Sequence, residues 1–265
     1  MVKKVRLLMI LGLILVLPFT GSVQADPGPE TGQTETLTAF IDSWTDSGVQ
    51  NEPDATPLPT ADSEKRAYLT FDDGPDPVWS SQVLAILRKY QANATFYMIG
   101  RNASTFQDTI IQIASDGNTL ANHSYNHYDL TALDFQGFSL EVGDTEQSIR
   151  NALKDHPELL SQVTKCLRPP YGKSNEFVYA YAMRMGYSIS MWNLDTRDWA
   201  GTEPEDVLAG FISKLQPDRV ILFHDGGEDR QNTIESLDLV LHELIMQGYD
   251  ILPYCTEAGQ AIIGG

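Results

Sequence analysis

The chain has 265 residues, of which 42% are hydrophobic and 9% aromatic, enough apolar material to bury a full core, so it is not disordered as a whole. Its formal net charge of −18 argues against nucleic acid as a partner, because phosphate contacts require the opposite sign. Beyond that, acidity bears on solubility and not on fold.

The first 25 residues carry Lys3, Lys4 and Arg6 ahead of an apolar run from Leu7 to Leu17, then the small residues Val23 and Ala25. This reads as a secretory signal peptide cleaved after Ala25, and places the mature protein in a secreted or cell-envelope, extracytoplasmic location. The run is too short for a membrane anchor, which needs roughly 20 apolar residues, so no stable membrane span is expected after cleavage. Removing three basic residues and no acid moves the charge from −18 to −21. Residues 26–64 contain no Lys or Arg and have prolines at 27, 29, 53, 57 and 59, the composition of an acidic flexible tether. Within it, residues 37–44 (LTAFIDSW) have the apolar content for one short helix.

From Lys65 to Gly265 the chain alternates strand-like and helix-like runs. The expected strands are 67–71, 94–99, 119–124, 166–171, 188–194, 220–224 and 249–254; helical stretches include 80–90, 105–115, 174–185, 203–215 and 233–247. Seven strands with intervening helices imply a parallel sheet covered on its faces. A deformed β/α barrel of about seven parallel strands fits best, with an open doubly wound sheet as the alternative.

In either architecture a site is built at the carboxyl ends of the strands. Asp72 and Asp73 follow the first, His123 and His127 the third, Arg168 and Tyr171 close the fourth, Asp195 and Asp198 follow the fifth, and His224 and Asp225 close the sixth. These residues, distant in sequence, are expected on one rim. His156 and His242 fall in a loop and a helix and read as ordinary surface or packing residues. The stretch TFDDGP (70–75) is by itself compatible with a solvated helix-capping turn. The pair in HSYNH (123–127) has a spacing that allows two imidazoles to share one metal. Joined by a carboxylate across the rim it forms a His, His, Asp set with open positions, a pattern also found in iron oxygenases.

Taken together, TFDDGP, HSYNH, RPPYG, DTRDW and LFH, in this order, resemble the five motifs of the polysaccharide deacetylase family, carbohydrate esterase family 4 or the NodB-homology domain. The resemblance covers Lys65 to Glu257. It implies a divalent metal, usually zinc (Zn2+), and a hydrolase that removes acetyl groups from an N-acetylglucosamine-containing polysaccharide, peptidoglycan or chitin-like, with acetylxylan O-deacetylation as an alternative. A glycan-binding wall protein without activity is the reading outside enzymology. By position, the resemblance makes Asp73, His123 and His127 the metal ligands, Asp72 the catalytic base and Arg168 the residue that orients it. It makes His224 the general acid and Asp198 the carboxylate that tunes it. Tyr171 is similar to the residue whose backbone N–H holds the oxyanion, and Trp199 and Leu222 to the walls of the acetyl pocket. No role is assigned to Asp195 or Asp225, and no protein partner is inferred.

Export permits a disulfide, and Cys166 and Cys255 are the two cysteines. The strand map puts Cys166 at the start of strand four and Cys255 after the last strand, at opposite ends of the sheet. Two free, buried thiols are therefore expected.

Overall fold

The computed structural model describes residues 65–255; the proposed signal peptide, the tether and its short helix lie outside them. Eight strands form one sheet: β1 (Arg66–Asp72), β2 (Thr95–Met98), β3 (Thr119–Asn122), β4 (Val163–Leu167), β5 (Ser188–Ile189), β6 (Leu194–Asp195), β7 (Arg219–His224) and β8 (Asp250–Leu252). Their order is β5-β4-β3-β2-β1-β7-β6, with β8 paired to β1, and every pairing is parallel. Seven helices accompany them: α1 (Trp79–Tyr90), α2 (Gly100–Thr105), α3 (Gln107–Ser115), α4 (Phe135–Ala152), α5 (Glu176–Arg184), α6 (Pro204–Lys214) and α7 (Gln231–Met246).

The sheet is a deformed barrel, and its closure can be argued from chain length. Its two edges, β5 and β6, come from the single run expected as one strand at 188–194, interrupted at residues 190–193. Five residue steps span at most roughly 18 Å, so the edges must curl towards each other. The expected fourth strand also shifts, to Val163–Leu167, because Pro169 and Pro170 have no N–H to give a ladder. The expected helix at 105–115 is α3, which starts at Gln107 after a break at Phe106, and the short α2 ahead of it was not expected.

Strand periodicity sorts side chains into two cores. Ala67, Leu69 and Phe71 of β1 join Phe96, Met98, Leu120, Ile221 and Phe223 in the apolar layer beneath the helices. There α7 contributes Leu237, Val240, Leu241 and Leu244, a stripe at helical spacing. The alternate residues face the barrel interior, where Tyr68, Tyr97, Ala121, Cys166 and Val220 cluster. Further along the same faces come Thr70, Asp72, Arg168, Leu222 and His224. The chemistry therefore continues the inner face of the strands.

The thiol expectation is overturned: Cys166 and Cys255 form a disulfide, with Cα atoms 6.3 Å apart. Because β4 begins at Val163, Cys166 lies near its carboxyl end and not at its start. Because β8 ends at Leu252, the following residues turn into the barrel, where Tyr254 and Cys255 join the interior cluster and Tyr254 N–H donates to Thr95 Oγ1 at 2.9 Å. In denaturant without reductant, thiol labelling is expected to find no reactive cysteine, and two after reduction; two before reduction would mean the bond does not form.

Candidate active site

Adjacent residues of a strand point to opposite faces, so Asp72 and Asp73 cannot both face the interior from a regular strand. Asp72 is the last residue of β1, and Asp73 leaves it with φ 74°, which breaks the alternation. A non-glycine residue there costs about 1–3 kcal/mol, and close packing holds it. Asn102 Nδ2 donates to the Asp73 carbonyl at 2.9 Å. A Cβ on Gly226 would run into that same carbonyl, so only glycine permits the approach.

The two acids then have different partners. Asp72 is buried, and its Oδ1 accepts from Arg168 Nη1 at 2.8 Å, which leaves Oδ2 facing His123 Nε2 at 3.7 Å. Burial pushes its carboxyl above the usual carboxylate value, against the pull of the Arg168 and His224 charges. Asp73 Oδ1 is buried without a hydrogen-bond donor and lies 3.5 Å from His123 Nε2 and 3.3 Å from His127 Nε2. His123 Nδ1 donates to the Arg168 carbonyl at 2.7 Å, which turns the bare Nε2 inward, and burial drives its pKa down to about 3. One ligand atom from each of Asp73, His123 and His127 lies within 4.8 Å of the others. A carboxylate oxygen without a hydrogen-bond donor, converging with the bare Nε2 of His123 and the ring of His127, fits a cation, and two imidazoles with one carboxylate leave coordination positions open.

Arg168 is fully buried. Besides Asp72, its Nη1 donates to Thr70 Oγ1 at 2.9 Å, its Nε to Ser190 O and its Nη2 to Met191 O, both at 3.2 Å. The guanidinium lies 3.9 Å from the centre of the Tyr97 ring. On the neighbouring strand, His224 is in register with Asp72. His224 Nδ1 meets Asp198 Oδ1 at 3.0 Å, its N–H donates to Asp198 Oδ2 at 2.9 Å, and Thr233 Oγ1 donates to the same Oδ2 at 2.9 Å. Burial favours neutral forms of both partners, yet their mutual hydrogen bond prevails, holding Asp198 below and His224 above their ordinary values. Both contacts from His224 to Asp198 use the backbone N–H and Nδ1, not Nε2.

Tyr171 is 63% exposed, adopts φ 62° and sets its ring edge-on to His127 at 4.6 Å. Leu222 is buried on β7, inward beside His224, and half-exposed Trp199 sits in the turn after Asp198. Asp195 accepts from Arg197 N–H at 2.8 Å, a local turn contact. Half-buried His156 lies 3.5 Å from Glu158, and His242 is on the outer surface of α7.

Two buried acids escaped the sequence reading as site residues. Asp225 is fully buried, accepts from Ser80 Oγ and lies so close to Gly74 that a Cβ there would come within 2.5 Å of both carboxyl oxygens. Burial, with the charges of Asp73, Asp72 and Asp76 added, pushes it up to about 7 despite the Ser80 bond. Its adjacency to His224 was the available signal. Glu141 lies on α4, a helix the sequence reading did not single out because Gly137, Gly143 and several polar residues lower its propensity.

A family model described as polysaccharide deacetylase matches residues 60–190, and the chain belongs to this family of deacetylating hydrolases. It is 33% identical over 192 residues to a peptidoglycan-N-acetylglucosamine deacetylase of Bacillus cereus, covering 71% of this chain and 85% of that one. It is 32% identical over 171 residues to a chitooligosaccharide deacetylase of Rhizobium leguminosarum bv. trifolii, covering 64% and 76%. Among solved structures, a family 4 carbohydrate esterase from Streptomyces lividans in complex with acetate superposes with a TM-score of 0.65 at 27% identity, covering 76% of this chain and 98% of that one. Among the described residues no helix is long and apolar enough to cross a membrane.

The Asp198–His224 pair gives a pH signature. Asp198, lowered, contributes stability that is complete above its unfolded value near 3.8 and lost as pH falls through its native value. His224, raised, contributes stability that is complete below 6.5 and lost as pH rises through its native value. The unfolding free-energy difference between wild type and His224→Asn is therefore expected to be largest between about pH 4 and 6.5 and to shrink on both sides. Urea titrations at several pH values, in chelator, measure it, and a flat profile would contradict the pairing.

Proposed function

We propose that this protein is a zinc-dependent, extracytoplasmic deacetylase of an N-acetylglucosamine-containing glycan, peptidoglycan or a chitin-like polymer. The observation that carries the proposal is the bare Asp73, His123 and His127 triangle beside the Asp72–Arg168 pair, in a chain of this family. The relatives' substrates, peptidoglycan N-acetylglucosamine and chitooligosaccharide, support an amide as the scissile bond. The basic-then-apolar first 25 residues support export.

Asp73, His123 and His127 would hold the metal, which when bound supplies a Lewis acid that acidifies water and polarises the acetyl carbonyl. Asp72 accepts the proton of the attacking water on Oδ2, the oxygen that Arg168 leaves free. Burial raises its basicity above that of an ordinary carboxylate, which favours proton acceptance. Arg168 fixes the carboxylate plane from behind. Tyr171, beside His127, is the residue whose backbone N–H would hold the developing oxyanion. His224, charged through Asp198, donates its Nε2 proton to the departing amine. Leu222 and Trp199 enclose the acetyl methyl group, one from the buried strand and one from the open rim.

Two pairs of variants test this division. Asp73→Asn is expected to lose bound zinc, because a charged ligand disappears, whereas Asp72→Asn should retain zinc and lose most acetate release from glycan. Equal metal loss in both would refute separate roles. Expelling an amine requires protonation of nitrogen, while a nitrophenolate departs unaided. His224→Ala should therefore slow de-N-acetylation by about 10²–10⁴-fold and spare nitrophenyl acetate hydrolysis, and Asp72→Asn should impair both. Equal slowing of amide and aryl ester by His224→Ala, at unchanged zinc content, would remove His224 as the leaving-group acid.

A further inference from the structure

The two histidines of the triangle are separated by Ser124, Tyr125 and Asn126, and this short loop is strained, with Ser124 at φ 63° and His127 at φ 62°. Such a backbone does not hold itself. Its outward groups are used by α2: Gly100 N–H donates to the Ser124 carbonyl at 2.9 Å and Arg101 N–H to the Tyr125 carbonyl at 3.1 Å. The successive N–H groups of Tyr125 and Asn126 point to one spot, an arrangement that cradles an anion. Glu141 fills it. Its Oε2 accepts from Tyr125 N–H at 2.9 Å and from Asn126 N–H at 2.8 Å, and its Oε1 accepts from Asn126 Nδ2 at 2.7 Å. The side chain is buried, and its helix is tied to the same loop a second time, through Asn122. Asn122 Nδ2 donates to the Val142 carbonyl at 2.9 Å and its Oδ1 accepts from Ser124 N–H at 2.9 Å.

From this we infer that Glu141 is a positioning residue for the metal centre. Acting from a helix that supplies no ligand, it fixes the spacing and aim of His123 and His127 by holding the loop between them. The inference rests on the reading of Asp73, His123 and His127 as ligands and goes beyond it by assigning a residue outside the five motifs. The clamp works through acceptor geometry, so the negative charge itself is dispensable. In Glu141→Gln the amide oxygen can take both backbone N–H groups while Asn126 turns its own oxygen to the new NH2. In Glu141→Ala both N–H groups lose their acceptor.

Zn2+ affinity of the full-length apoprotein, measured by competition with a chromophoric chelator, tests this without reference to turnover. Glu141→Ala is expected to bind Zn2+ about 10- to 100-fold more weakly, the usual effect of losing a partner behind the ligands, and Glu141→Gln to stay within about threefold of wild type. Asn126→Ala, which removes one of the three bonds, should weaken binding by about two- to tenfold. A purely structural role would lower the melting temperature of the apoprotein and leave the affinity of the folded protein unchanged; that result overturns the inference. So does Glu141→Gln binding as weakly as Glu141→Ala, since charge and not the clamp would then be responsible. Should Glu141→Ala fail to fold, Asn126→Ala and Glu141→Gln decide the matter, and unchanged affinity in Asn126→Ala overturns it. Failure of wild type to bind Zn2+ would instead remove the ligand reading beneath it.

Discussion

A guanidinium with no solvent exposure governs much of this fold. Arg168 takes its charge into the barrel, where an unpaired ion would be destabilising by several kcal/mol, and the surrounding residues are arranged to prevent that. Its donors reach Asp72 and Thr70 on β1 and the carbonyls of Ser190 and Met191 in the connection between β5 and β6. That connection is where the sheet lacks a strand pairing to close it. One side chain thus bridges the open seam of the barrel and aims a carboxylate at the Asp73, His123 and His127 triangle, so closure of the fold and orientation of Asp72 are one constraint.

The adjacent acids are reconciled by the same economy of position. Asp72 remains on the inner face of β1 and meets a fixed cation, while Asp73, itself left-handed, turns towards the imidazoles of His123 and His127. Were both on a regular strand, one would point into the apolar layer formed by Phe71, Phe96 and Phe223. Asp225, buried against Gly74, packs beneath the turn that follows. The repulsion that makes two neighbouring carboxylates awkward is therefore dispersed among a guanidinium, two imidazoles and a tightly packed turn.

How far the sequence could be read follows from which residues carry their own pattern. Strands β1, β2, β3 and β7 were legible because continuous apolar runs ending at polar residues mark buried parallel strands. Site residues at those ends were legible because strand direction assigns them to one rim. The division of 188–194 into two edges was not, since it depends on barrel curvature and on Arg168 claiming the carbonyls between them. Glu141 was hidden because its function is a set of contacts to backbone N–H groups, which leave no trace in residue types. The disulfide was misjudged for a related reason: a shift of three residues in the start of β4 moves Cys166 from one end of the strand to the other.

That disulfide also alters how the interior should be understood. The segment after β8 does not run along the outside but enters the barrel, where Cys255 Sγ lies 3.2 Å from Tyr97 OH and 3.7 Å from Ser190 Oγ. Tyr97 in turn hydrogen-bonds Ser190 and presents its ring to Arg168. The covalent tie is made to β4 only two residues before Arg168 itself. A polar cavity beneath Arg168 would admit water and let the guanidinium exchange partners. Filling it with a bonded strap, a tyrosine and a serine leaves Arg168 its carbonyls, Thr70 and Asp72, so the placement of the Asp72 carboxylate is set from below by the segment that follows β8.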